Sequence, residues 1–144
     1  MRALGIDYGE RRIGLALSDP TGLLASPWKT MTNDGNLRAA AARIGDEVRT
    51  LAAEPDGLAA VVLGHPKRLS GEPNELTARV DALAEFLSRE VAVRIVLQDE
   101  RLTSHAADEL LASREKDWRR RKKEVDAMAA ALILQDYLDH QPRR

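Results

Sequence analysis

The stretch ALGIDYGERRIGLALSD, residues 3–19, constrains the fold more than any other part of the chain. Side chains alternate across a pleated strand, so Leu4, Ile6 and Tyr8 share one face while Ala3, Gly5, Asp7 and Gly9 share the other. After the GERR turn, Ile13, Leu15 and Leu17 alternate with Gly14, Ala16 and Ser18. The pattern predicts an antiparallel hairpin with one bulky face and one nearly bare face. The bare face carries a single charge on its first strand, Asp7. Glycine and alanine around it leave room for another element to come close, or for an ion and a substrate. A carboxylate in such a place needs a cation, a set of hydrogen bonds or water. The strand alone leaves two readings open: a functional acid, or a structural pair with Arg11 or Arg12.

The remaining pattern supplies helices and further strands. LLASPWKTM, residues 23–31, reads as a third strand, with Pro27 arguing for an edge or a break. Asn33, Asp34 and Asn36 are candidate N-caps for a helix through Leu37, Ala41, Ile44, Val48 and Leu51, stopped by Pro55, Asp56 and Gly57. LAAVVLG, residues 58–64, is a buried strand followed by the loop HPKRLSGEP. Leu76, Val80, Leu83 and Leu87 mark a second helix, and VAVRIVLQ, residues 91–98, a fifth strand. Thr103 or Ser104 caps a shorter helix through Leu110 and Leu111. A last helix runs from about Val125 to Leu138. An antiparallel hairpin first and α/β crossovers later imply an α/β fold built on a mixed five-stranded sheet with helices on both faces. Residues 1–144 show no linker or repeat and read as one domain.

Composition narrows the chemistry. There are no cysteines, which removes disulfides, thiol nucleophiles and Cys-type zinc sites and fits a reducing, cytoplasmic setting. No apolar run reaches the roughly 20 residues of a membrane span. The net charge of −1 does not announce a nucleic-acid partner, and 3% aromatics leave little for base stacking. Charge is nevertheless uneven: SREKDWRRRKKE, residues 113–124, holds seven basic and three acidic side chains. Any nucleic acid would be held through its backbone and its shape. Walker loops, GxGxxG and nucleophile elbows are absent from the sequence, and His65, His105 and His140 lack ligand spacing.

Two further acidic positions join Asp7. Asp99 and Glu100 end the fifth strand, beside Arg101, where they are either ligands or solvated strand-end acids. Asp126 lies next to the apolar stripe of the last helix, Val125, Met128, Ala129, Leu132 and Ile133. As a first-turn acid it would suit the helix macrodipole. Its small neighbours Ala129 and Ala130 also let the helix approach the sheet. Three acids at three element ends suggest hard-oxygen ligation of Mg²⁺ or Mn²⁺. Lys67 and Arg68 in the loop after the fourth strand, and Arg119, Arg120, Arg121, Lys122 and Lys123 before Asp126, could grip phosphates or simply face water.

ALGIDYGERRIGLALSD, VVLGHPKRLSGE, QDERLTS and RKKEVDAMAAALILQDYLD together resemble the YqgF/RuvX family, whose members are described as Holliday junction resolvases or pre-16S rRNA nucleases. The blocks come in the family's order and span nearly the whole chain; the DERLT block and the DAMAAALILQDYL block are the specific ones. The resemblance implies an RNase H-like fold and metal ligands at Asp7, Glu100 and Asp126, holding a two-ion centre of Mg²⁺ or Mn²⁺. Asp99 also matches the family's pattern; Glu100 is preferred to it as a ligand. Lys122 and Lys123 match the family's basic residues. Two features depart from the pattern: His65, Pro66, Lys67 and Arg68 replace an apolar-proline-apolar run, and REKDWRRR lengthens the basic segment. Both touch substrate contacts and leave the acids intact.

The resemblance implies a nuclease acting on precursor 16S rRNA or a ribosomal particle, with branched DNA as the alternative substrate, working as a monomer or a homodimer. A junction resolvase would suit a dimer with two sites. Two other classes compete. GIDYGERRIGLALSD also looks like the first phosphate motif of actin-like ATPases and sugar kinases, although those proteins close two such domains over a nucleotide. A non-catalytic RNA-binding protein would tolerate loss of Asp126.

Overall fold

The computed structural model describes residues 1–66, 72–99 and 118–142, with side chains of the last segment described from Asp126 onward. Its elements are β1 (Arg2–Tyr8), β2 (Arg12–Ser18), β3 (Ala25–Thr32), α1 (Leu37–Ala53), β4 (Leu58–His65), α2 (Glu75–Glu90), β5 (Arg94–Asp99) and α3 (Trp118–Asp139). The expected helix capped by Thr103 or Ser104, and with it Leu110 and Leu111, lies outside the described residues.

The hairpin forms as its alternation predicts. β1 and β2 run antiparallel with Leu4 opposite Leu17, Ile6 opposite Leu15 and Asp7 opposite Gly14. β4 joins β1 in parallel and β5 joins β4 in parallel, giving the order β3-β2-β1-β4-β5. β3 is the edge strand beside β2, and its register shifts where Ala16 meets Pro27. That is the edge-and-irregularity setting a strand proline needs, because its nitrogen has no hydrogen to donate.

The two faces of the hairpin acquire different coverings. Leu4, Ile6, Tyr8, Ile13 and Leu15 enter the larger core with Ile44 and Val48 of α1 and Val80, Leu83 and Leu87 of α2. Burying each large aliphatic side chain contributes about 1.5–3 kcal/mol, so this face anchors the sheet. Ala3 and Ala16 on the other face meet α3 through Ala130, Ala131, Ile133, Leu134 and Tyr137. Local signals set the helix starts. The Asn36 side chain accepts from the Ala39 N–H, and Asn74 and Thr77 form a capping box at α2.

Three boundaries differ from the sequence expectation. β3 begins at Ala25, because Leu23 and Leu24 give their N–H groups to the Asp19 carboxylate in the connection before it. β5 begins at Arg94 rather than residue 91. The last helix begins at Trp118 rather than near Val125, so part of the basic stretch is helical. Arginine and lysine are good helix formers and continue the helix without an apolar stripe.

Candidate metal centre

Two glycines on the bare face determine how α3 sits. A Cβ built on Gly14 would lie 1.9 Å from the carbonyl oxygen of Asp126, and one on Gly5 would lie 2.7 Å from Leu134 Cβ and 2.8 Å from the Ala130 carbonyl oxygen. The helix backbone therefore rests directly on the sheet. Ala129, Ala130 and Ala131 are buried at this contact and supply the matching small side chains. Since Asp7 is the cross-strand partner of Gly14, the same contact brings Asp126 to the end of β1. The sheet thus draws together two acids that stand far apart in sequence.

Both acids are partly shielded from water. Asp7 is half-buried. Asp126 is more than two helical turns inside α3, which corrects the first-turn, macrodipole reading of this residue. Its Oδ2 accepts a hydrogen bond from Arg12 Nε at 2.5 Å, an ion pair across the rim of the sheet. The sequence makes Arg12 a candidate partner of Asp7; the structure pairs its guanidinium with Asp126. The available signal was phase: Arg12 and Gly14 are two residues apart and share a face.

The end of β1 is also fixed from the bulky side. Arg79 Nη2 donates to the Tyr8 hydroxyl at 3.0 Å and to the Gly35 carbonyl at 2.7 Å. The turn after β1 is held by Gly9 N–H donating to the Arg12 carbonyl at 2.9 Å and by Asn33 Nδ2 donating to the Gly9 carbonyl at 2.7 Å. These bonds leave little backbone freedom on either side of Asp7.

The parallel strands β1, β4 and β5 end at one rim, the usual location for ligands in α/β sheets. Asp99 ends β5 opposite His65 of β4, and His65 Nε2 is hydrogen-bonded with Asp81 Oδ1 at 2.8 Å. Strand phase separates Asp99 from the other two acids. Ile95 packs with the α1–α2 core and Val96 with the α3 core. Gln98 reaches Asp136 of α3. Asp99 therefore belongs to the α1–α2 face, opposite to Asp7. Glu100, Lys67 and Arg68 lie outside the described residues. Arg119, Arg120, Arg121, Lys122 and Lys123 lie on α3, with their side chains outside the described residues.

The chemistry of the described donors fits a hard divalent cation. Asp7 and Asp126 present carboxylate oxygens, and Gly14 keeps the space between strand and helix free of a side chain. Carboxylates brought together repel unless positive charge lies between them, and Arg12 supplies such charge at Asp126. Among the described residues, no group of three acids or histidines is close enough to hold an ion.

Comparison with known proteins agrees with this architecture. A relative from Pelotomaculum thermopropionicum named "Putative pre-16S rRNA nuclease" is 36% identical over 146 residues, covering 100% of this chain and 92% of its own length. A relative of the same name from Nocardioides is 43% identical, covering 94% of this chain and 86% of its own length. Among solved structures, the fowlpox virus Holliday junction resolvase superposes with a TM-score of 0.57 at 15% identity, covering 96% of this chain and 98% of its own. Thermus thermophilus RuvC gives a TM-score of 0.53 at 16% identity, covering 96% and 94%. These likenesses show the RNase H-like fold. The family described as "RuvX: Holliday junction resolvase" matches residues 1–140, and the chain belongs to it.

Proposed function

We propose that this chain is a metal-dependent nuclease that hydrolyses phosphodiester bonds in structured nucleic acid, with maturation of the 5′ end of precursor 16S rRNA as its reaction. The observation that carries the proposal is the meeting of Asp7 and Asp126 across Gly14 at the rim where the parallel strands end. The names of relatives that align over almost the whole chain support the choice of substrate.

Asp7, Glu100 and Asp126 are the proposed ligands of Mg²⁺ or Mn²⁺, and as a pair of ions these would activate a water and stabilise the leaving oxygen. Asp7 contributes from a strand end fixed on both sides, and Asp126 from a helix seated on backbone. Such fixed acids hold a reacting phosphate in one orientation. Glu100 supplies the third carboxylate in preference to Asp99, whose face of β5 is the one opposite to Asp7. Lys67, Arg68, Arg119, Arg120, Arg121, Lys122 and Lys123 are the proposed phosphate-gripping residues. The setting is the cytoplasm, where precursor rRNA and ribosomal particles are found; no helix among the described residues is long and apolar enough to cross a membrane.

The description of the family supports a second reading, resolution of four-way DNA junctions. One assay tests both. Purified wild type and Asp7→Asn are offered a 5′-extended precursor 16S rRNA and a four-way DNA junction with Mg²⁺, Mn²⁺ or EDTA. Metal-dependent cutting of the RNA that Asp7→Asn loses is expected. Cutting of the junction alone would replace the rRNA reading with the resolvase. Cutting of neither would overturn both.

A further inference from the structure

We propose that Arg12 is the resident counter-ion of Asp126 and competes with the divalent cation for its carboxylate, so that Arg12 sets the cation concentration at which the centre fills. The inference rests on the metal-dependent reading above and adds a residue that controls metal entry.

The geometry supports an exchange. Arg12 Nε donates to Asp126 Oδ2 at 2.5 Å, a charge-assisted bond directed at an acid that the proposed centre needs. Arg12 is the first residue of β2 and faces α3 in phase with Gly14, the residue on which the Asp126 backbone rests. Its own backbone is pinned. The Arg12 carbonyl accepts from Gly9 N–H at 2.9 Å, and the neighbouring Arg11 carbonyl accepts from Asn33 N–H at 2.8 Å. Only the side chain is free to move. It retains 31% exposure, against 20% for Asp126, so the guanidinium can turn toward water while the carboxylate stays in place.

Charge explains why one cation displaces the other. Without metal, the guanidinium balances the charge of the partly buried Asp126 carboxylate. A divalent cation bound to the same carboxylate repels the guanidinium in turn. Metal binding therefore includes the cost of breaking the Arg12–Asp126 pair.

Isothermal titration of Mn²⁺ into full-length wild type, Arg12→Gln, Arg12→Lys, Arg11→Gln and Asp126→Asn tests the proposal. Arg12→Gln should bind Mn²⁺ about 3- to 5-fold more tightly, the upper part of the range for a partly exposed ion pair. Arg12→Lys keeps the charge and loses the Nε contact, so its affinity should fall between the two. Arg11 is exposed, and Arg11→Gln makes the same change in net charge; its affinity should stay within about twofold of wild type. Thermal melts in EDTA should show Arg12→Gln lowered, with a larger rise on adding Mn²⁺ than in wild type. Equal or weaker Mn²⁺ binding by Arg12→Gln, or the same gain from Arg11→Gln, would overturn the role of Arg12 while wild-type binding that Asp126→Asn loses upholds the metal centre. If Arg12→Gln does not fold, unchanged affinity in Arg12→Lys overturns it instead. No Mn²⁺ binding by wild type would overturn the metal reading and this proposal together.

Discussion

At the scale of single residues, the site depends as much on what is missing as on what is present. Gly14 has no side chain, and that is why Asp126 can stand beside Asp7. Gly14→Ala would drive a methyl group into the Asp126 carbonyl, a backbone atom that cannot turn aside. The expected loss is at least about 3 kcal/mol of stability, at the upper end of overpacking costs, read by urea denaturation. Gly5→Ala meets Leu134 Cβ and the Ala130 carbonyl at less extreme distances and should cost about 2 kcal/mol in the same measurement. Asp7→Asn keeps the volume and removes the charge. It should lower metal-dependent cleavage more than about 100-fold, because several kcal/mol of charge stabilisation are lost at about 1.4 kcal/mol per factor of ten. Initial rates at saturating Mn²⁺ check this, with circular dichroism confirming the fold.

At the scale of elements, the connection between β2 and β3 offers a titratable joint. Asp19 accepts from the Thr21 hydroxyl and from the N–H groups of Leu24 and Leu23, both at 2.9 Å. The Thr21 hydroxyl bond, then the Leu24 amide, lowers its pKa from the ordinary 3.8 to about 2. A depressed carboxylate pKa stabilises the fold above the unfolded value, and that contribution fades as pH falls from 3.8 toward about 2. Asp19→Asn should therefore melt lower than wild type at pH 7, and the two melting points should converge in strong acid. The hairpin, α1, α2 and β4 were legible because each carries a period of two, a helical stripe or an unbroken apolar run. The start of α3 was not, since residues 118–124 show no apolar stripe to read. Bare positions such as Gly5 and Gly14 announced that something would come close to the sheet. They could not say that it would be Asp126, because that encounter is tertiary. For the same reason the Arg12–Asp126 pair was invisible in sequence, although both residues were in view.

At the scale of the whole molecule, a second pH-dependent contribution lies just beyond α3. The Asp136 carbonyl accepts from His140, and with the Asp136 charge it raises the His140 pKa above 6.5. A raised histidine pKa contributes fully below the unfolded value and is lost as pH rises through the folded one. Both contributions are present between about 3.8 and 6.5, so the melting-temperature difference between wild type and an Asp19→Asn, His140→Gln double variant should be largest there and shrink on either side. Metal adds a separate term: Mn²⁺ at about 100 times its Kd should stabilise the wild type by about 2.7 kcal/mol, and Asp126→Asn by nearly nothing, in melts at fixed pH. The order of the chain adds a temporal consequence. Arg12 and Asp126 are 114 positions apart, so the hairpin is synthesised well before the helix that seats on it. A nascent chain holds Asp7 long before it holds Asp126. The proposed nuclease is thus silent while its first strands and helices are being made, and becomes able to cut RNA only when α3 lands on two glycines.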